Sequence, residues 1–194
     1  DSVQSMIDDT YIGGKEINNM ELVTYFAENS AAAIDWLTSI NMDVSDVAQG
    51  AGATYPRMHR PADGSKIGGV LVPVLMKNLE ERQITILYNT TATELLSENG
   101  EVNGVKAVDK NGEELVFNAN AVIIATGGFG ANEDLYVKYR PDLKGFTTTN
   151  HPGATGDGIV MAEAVGADTV DTDQIQTNPT VEVTTNTVIS ESVR

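Results

Sequence analysis

The stretch Ala121-Val-Ile-Ile-Ala-Thr-Gly-Gly128 decides the fold. A short continuous apolar run, Ala121–Ala125, is typical of a strand buried on both faces, as in a sheet covered by helices. The small residues Thr126, Gly127 and Gly128 then let a ligand approach the backbone at the carboxyl end of that strand. Because any junction of strand, turn and helix carries the same pattern, the stretch predicts a buried strand and leaves the ligand open.

Helical and strand-like patterns alternate around this stretch. Asn18 precedes Glu21 by three residues, which is an Asn version of the capping box. Apolar residues then recur at helical spacing, and Trp36 is expected in the core or at its edge. Helices are predicted over residues 1–14, 19–40, 67–82 and 156–167. The pair Asn111-Gly112 predicts a β-hairpin between two short strands, and together these elements indicate an α/β fold.

The composition excludes several classes of partner. Among 194 residues there are 28 acids and 12 bases, and the formal net charge is −16. Nucleic acid and anionic membrane surfaces are therefore not expected as partners, because both require a basic face. The chain has no cysteine, and its two histidines show no metal-ligand spacing, so no metal site is predicted. No apolar run is long enough to span a bilayer, and the compartment is left open between bacterial cytoplasm and export.

A second glycine-rich motif runs from Thr149 to Gly158 (Thr-Asn-His-Pro-Gly-Ala-Thr-Gly-Asp-Gly). It predicts the start of a helix, where free backbone N–H groups favour an anionic or polar ligand. Asp157 can accept a hydrogen bond from a ligand hydroxyl or ring N–H. The alternative is an ordinary helix start in which Asp157 only complements the helix dipole.

Two further motifs carry charge. Arg57-Met-His-Arg-Pro61 is the most basic spot of the chain and can hold a carboxylate or phosphate through bidentate contacts. Its alternative is a surface loop whose cations pair with nearby acids. In Ser190-Glu-Ser-Val-Arg194, a helical conformation places Glu191 and Arg194 on one face. Such a pair serves either as a proton relay or as an ordinary surface ion pair.

The order of the motifs along the chain is more specific than any one of them. It resembles the soluble fumarate reductase and flavocytochrome c flavoprotein family over residues 1–194. The resemblance rests on Asp-Asp-Thr with Gly13-Gly14, the Asp35-Trp36 helix, Arg-x-His-Arg-Pro, Ala-Thr-Gly-Gly-Phe, the 149–158 motif and Gln176-x-Asn-Pro-Thr180.

This resemblance implies a partial FAD-binding domain of the Rossmann-like, glutathione-reductase type. It would occupy residues 1–165, with an inserted β-hairpin, and residues 166–194 would lead into a substrate or capping domain. The family's N-terminal β-α-β unit, which carries the dinucleotide glycines, is expected before Asp1. In agreement, no G-x-G-x-x-G occurs in the chain, and the chain alone is expected to be inactive.

The resemblance also implies the site residues. FAD would meet Ala92, Ala125, Thr126, Gly127, Thr155, Gly156 and Asp157. The family reduces an activated C=C bond: hydride leaves flavin N5, and an Arg fed by an Arg–Glu–Arg relay supplies the proton. Glu191 and Arg194 match relay residues, and the donor Arg would lie beyond Arg194. Asn178 and Ser190 match positions that contact the substrate.

One position departs from the family pattern. Asn178 stands where the fumarate reductases usually carry a His that binds a substrate carboxylate, which puts fumarate itself in doubt. A small unsaturated carboxylate is still the expected substrate, with an FMN- or haem-type electron donor. The alternatives are a non-catalytic flavin-binding or structural module, or another flavin dehydrogenase of the same superfamily. The match of Glu191 and Arg194 to the relay argues against the last of these.

Overall fold

The computed structural model describes residues 1–178, 181–182, 184–185 and 187–188. The chain divides into two compact units, Asp1–Ile86 and Leu87–Arg194. Each unit has its own elements and its own small core, and the two are described separately below.

The first unit combines three helices with a short hairpin. Its elements are α1 (Val3–Gly13), α2 (Met20–Ser39), β1 (Asp46–Ala48), β2 (Met58–Arg60) and α3 (Gly68–Glu81), and β1 pairs antiparallel with β2. Helix α2 begins at Asn19, whose side chain accepts hydrogen bonds from the backbone N–H groups of Glu21 and Leu22. The predicted cap at Asn18 is therefore one residue early. Pro73 lies inside α3, where it removes one backbone donor.

The core of the first unit forms where α1 packs on α2. Val23 and Ala27 of α2 are buried, and so are three residues just after it, Ile40, Met42 and Val44. Trp36 exposes 55% of its surface, so the prediction of a core position for this ring is wrong within this chain. The predicted helix is present, but α2 carries apolar residues on two faces, and only one of these faces is covered.

The second unit is built on an antiparallel sheet. Its elements are β3 (Thr91–Glu98), β4 (Glu101–Val108), β5 (Glu114–Asn118), α4 (Glu133–Tyr139), a 3₁₀ turn (Pro141–Leu143), α5 (Asp157–Ala164), β6 (Val181–Glu182) and β7 (Thr187–Val188). Strands β4 and β5 pair around the Asn111-Gly112 turn, as the sequence predicts. Strand β3 adds to the other edge of β4, and α5 contacts β3. Leu95, Ala107 and Met161 are buried.

Residues 121–125 do not form the predicted strand within the described part of the chain, since no strand there pairs with them. Ile123 is 90% exposed and Ile124 is 42% exposed. A strand exists only through hydrogen bonds to a neighbour, and this run is apolar because it suits a position covered on both faces. The mixed α/β class is confirmed, although the sheets seen here are all antiparallel. Among the described residues, no helix is long and apolar enough to cross a membrane.

Candidate functional site

Two glycine-containing loops meet at the start of α5. The backbone N–H of Gly156 donates to the carbonyl oxygen of Gly128 at 3.1 Å, and Ala131 N–H donates to Ala154 O at 2.9 Å. A Cβ atom on Gly158 would lie 2.2 Å from Thr126 Oγ1. The first turn of α5 therefore lies directly against the segment that follows the apolar run, and only glycine permits this approach.

Asn132 holds this junction to α4. Its Nδ2 donates to Thr155 O at 2.9 Å, while its Oδ1 accepts from the backbone N–H of Leu135 and caps the helix. Sequence reasoning did not identify this residue. The available signal was an Asn directly before Glu133-Asp134, which is typical of a helix N-terminus.

The predicted cofactor residues of these two loops come together. Ala125, Thr126 and Gly127 are exposed, and Thr155, Gly156 and Asp157 follow across the Gly128–Gly156 hydrogen bond. Gly156 has φ +82°, and a Cβ there would lie 2.5 Å from Leu135 Cδ2. Both the positive φ and the lack of space require glycine at this position.

The junction has the chemistry that a nucleotide cofactor needs. Gly127 has φ +77°, and no atom lies within 4 Å of the place where its Cβ would be. The Asp157 carboxylate is exposed at the start of α5, and no hydrogen bond or ion pair joins it to any other described residue. An open backbone edge beside a free carboxylate acceptor fits the hydroxyl groups and ring N–H groups of FAD.

Ala92 belongs to the same unit. It lies on β3 opposite Ala107 and is half-buried, on the strand against which α5 packs. All seven residues expected to meet FAD therefore lie on three connected elements: β3, the 125–130 loop and the start of α5.

A cleft of about 620 Å³ opens beside these loops. The segment Gly128–Gly130 forms one part of its wall, and Asn178 forms another. Tyr136 also lines it; its hydroxyl donates to Phe146 O at 3.0 Å, and burial raises its pKa above the ordinary value. Asn178 is exposed on this wall, whereas Ser190, Glu191 and Arg194 lie outside the described residues.

The basic segment Arg57–Pro61 lies in the first unit and is occupied by the chain's own acids. Arg57 forms ion pairs with Asp1 and Asp9, each at 2.7 Å, and Arg60 pairs with Asp46. His59 Nδ1 is 2.8 Å from the carbonyl oxygen of Val44. Of the two interpretations of this segment, the structure supports the surface loop whose cations pair with nearby acids. In the part of the chain that the structure describes, no cluster of His and acidic residues has metal-site geometry.

Thr54 also contacts Asp9, so that Asp9, Arg57 and Thr54 form one cluster. Its hydroxyl donates to Asp9 Oδ1 at 2.6 Å and its backbone N–H donates to Oδ2 at 2.7 Å. These hydrogen bonds, with the Arg57 guanidinium, hold the pKa of Asp9 below its ordinary value. Asp9 is therefore held in its charged form beside Arg57.

The family described as "FAD binding domain" matches residues 1–194. NADH:fumarate oxidoreductase of Klebsiella pneumoniae (strain 342) is 44% identical over 194 residues, which are all of this chain and 21% of that protein. Fumarate reductase (cytochrome) of Shewanella frigidimarina is 38% identical over 195 residues, covering 100% of this chain and 34% of that protein.

A more distant relative and a solved structure extend the comparison. Urocanate reductase of Eggerthella lenta is 32% identical over 203 residues, covering 97% of this chain and 32% of that protein. The open conformation of a flavocytochrome c3 fumarate reductase superposes with a TM-score of 0.89 at 35% identity, covering 93% of this chain and 32% of that one. The chain thus spans about a fifth to a third of the length of these relatives.

Proposed function

The chain belongs to the family of FAD binding domains, and on that premise we propose that it is the flavin-holding part of a reductase. The reaction is reduction of the activated C=C bond of an unsaturated carboxylate. One residue carries the proposal: Gly128 accepts the hydrogen bond that joins the two cofactor loops, and it also lines the cleft that holds Asn178. The cofactor loops and the substrate-side residue therefore share one wall.

FAD is the cofactor of this family, and when bound it supplies hydride chemistry. Ala125, Thr126 and Gly127 would meet it through their backbone, as would Thr155 and Gly156. Asp157 would accept a hydrogen bond from one of its hydroxyl or ring N–H groups, and Ala92 would meet its adenine end. The open space at Gly127 and the free carboxylate of Asp157 support this assignment.

The substrate residues have separate tasks. Asn178 would donate an amide hydrogen bond to an oxygen at one end of the substrate, and Ser190 would add a hydroxyl contact. Glu191 and Arg194 would pass a proton to the group that protonates the second carbon. The match to the family's relay and the i, i+3 spacing of this pair support their role.

The relatives are longer than this chain, which supports further domains around the flavin site. Residues 1–165 would be part of the flavin domain, and residues 166–194 would lead into a capping domain over the substrate. An electron donor of the FMN or haem type would reduce the flavin. The names of two relatives, NADH:fumarate oxidoreductase and fumarate reductase (cytochrome), support a separate donor.

The test uses the full-length gene product with FAD bound. We expect anaerobic oxidation of reduced methyl viologen by an unsaturated acid, and Glu191→Gln is expected to lower turnover by about 100-fold or more without loss of flavin. Glu98→Gln, at the exposed end of β3, is the control and is expected to leave turnover unchanged. A protein that binds no flavin contradicts the proposal, and flavin binding without turnover on any enoate supports the non-catalytic module instead.

A further inference from the structure

Asn132 uses all four of its polar groups in hydrogen bonds. Its backbone N–H donates to Phe129 O at 2.9 Å, and its backbone carbonyl accepts from the N–H of Tyr136 at 3.0 Å. Its side-chain Oδ1 accepts from the N–H of Leu135 at 3.1 Å, and its Nδ2 donates to Thr155 O at 2.9 Å. Exchanging the amide oxygen and nitrogen would set donor against donor and acceptor against acceptor, so these partners fix the orientation of the amide.

Of these four bonds, only the one from Nδ2 leaves the local segment 129–136 and reaches the loop at 154–158. The three others hold Asn132 at the start of α4, so its amide donor is in place before any ligand binds. Asn132 and Thr155 are both half-buried, where water competes less for the hydrogen bond. A loop that is already ordered in this way costs less free energy to fix when a ligand binds.

The acceptor of this bond belongs to a peptide unit that is held from both sides. The Thr155 carbonyl and the Gly156 N–H lie in one rigid plane and point in opposite directions. The carbonyl accepts from Asn132, and the N–H donates to Gly128 O at 3.1 Å. The two hydrogen bonds therefore set the rotation of this plane. The rotation in turn sets the positive φ of Gly156 (+82°), from which Asp157 and the rest of α5 continue.

We propose that Asn132 is a positioning residue for FAD: through the Thr155 carbonyl it fixes the loop from which Asp157 meets the cofactor. This inference rests on the proposed function, in which residues 155–157 meet FAD, and adds a residue that acts through that loop. Without the Nδ2 donor, the Thr155–Gly156 plane rotates more freely, and only a fraction of the folded protein keeps the loop in its binding conformation. FAD affinity falls in proportion to that fraction.

Two substitutions remove this donor and keep the helix cap. Asn132→Asp has the same shape, and its carboxylate caps α4 as well as the amide does. Asn132→Ser keeps a capping hydroxyl and adds no charge. Asn19→Asp is the matched control, because Asn19 also caps a helix through its Oδ1. Its amide nitrogen, by contrast, donates no hydrogen bond to any other residue that the structure describes.

The experiment measures the FAD dissociation constant of the full-length gene product by quenching of flavin fluorescence. We expect Asn132→Asp to weaken FAD binding at least about tenfold and Asn132→Ser about fivefold. Asn19→Asp is expected to change it by less than about twofold. Urea denaturation of each apoprotein establishes that the variants are folded where binding is measured, so that a loss of affinity is not a loss of folded protein.

A double-mutant cycle with Asp157→Ala separates positioning from a general structural role. If Asn132 acts through the loop that carries Asp157, Asn132→Ser weakens FAD binding about fivefold in the unsubstituted protein but less than about twofold in the Asp157→Ala protein. A residue that only stabilises the fold would give the same factor in both.

Equal factors in the two proteins would overturn the inference and leave the proposed function intact, and so would Asn132 variants that bind FAD as tightly as Asn19→Asp does. Failure of the unsubstituted protein to bind FAD would refute the proposed function and the inference with it. If Asn132→Asp does not fold, Asn132→Ser, which adds no charge beside the acids of α4, decides alone.

Discussion

The basic segment of the first unit and the glycine loops of the second use their polar groups in opposite ways. Arg57 and Arg60 are paired with Asp1, Asp9 and Asp46 inside their own unit. The loops at 125–130 and 154–158 instead leave the four residues 125–128 exposed and the Asp157 carboxylate without a partner among the described residues. A ligand can add hydrogen bonds to the second region, whereas it would have to break existing ones in the first.

This difference shows why local charge is a poor guide to a ligand site in an acidic chain. With 28 acids and 12 bases, a cation readily finds an acid of its own chain, and such a pair does not by itself indicate a ligand site. Positive φ angles and close backbone approach are the better guide, because a strained backbone persists only where its surroundings require it.

The largest expected effect concerns the glycine that joins the two loops. Gly156→Ala is expected to lower the free energy of unfolding by about 3 kcal/mol, because a positive φ and a clash add together. The clash is with Leu135 Cδ2 at 2.5 Å and with Phe129 Cβ at 2.8 Å, and the Phe129 Cβ cannot move without its backbone. Urea denaturation of the chain, followed by circular dichroism, measures the change.

Gly145→Ala is the matched control. Gly145 has φ +83°, and no atom lies within 4 Å of its Cβ position, so only the backbone cost of about 1 kcal/mol applies. Equal losses for the two variants would contradict the close approach between α5 and the 125–130 loop.

A smaller effect concerns the acid stability of the first unit. Thr54 and Arg57 hold the pKa of Asp9 below its ordinary value of 3.8. Below about pH 3.8 the unfolded chain takes up a proton at Asp9 while the folded chain does not, so stability falls as pH drops through the folded pKa. Asp9→Asn is expected to reduce the change of the free energy of unfolding with pH, measured by urea denaturation between about pH 5 and pH 2. An equal change in both proteins would contradict the hydrogen bonding of Asp9 by Thr54 and Arg57.

The sequence predicted most of the secondary structure. Asn111-Gly112 marked the β4–β5 turn, and Gly13 and Gly14 marked the end of α1. The order of motifs indicated the family over the whole chain, and the match over residues 1–194 confirms it. These features are local, because turns, caps and loop motifs depend on neighbours within a few residues.

Features that depend on distant neighbours were missed. Ala121–Ala125 has the composition of a buried strand, yet strand pairing and burial come from segments far away in sequence. Strand β3 was missed because its two large apolar residues, Leu95 and Leu96, are adjacent and the strand shows no alternation of apolar and polar residues. The pairing of Arg57 with Asp1 and Asp9 joins residues about fifty positions apart, which no local pattern indicates.

The measurement that tests the central contrast most directly is the FAD dissociation constant of the full-length gene product and three variants. We expect Asp157→Ala to weaken FAD binding about tenfold, since one hydrogen bond from a carboxylate is lost. Asp134→Ala, an acid in the first turn of α4, and Arg57→Met are each expected to change it by less than about twofold. Loss of FAD affinity in Arg57→Met with none in Asp157→Ala would contradict the account.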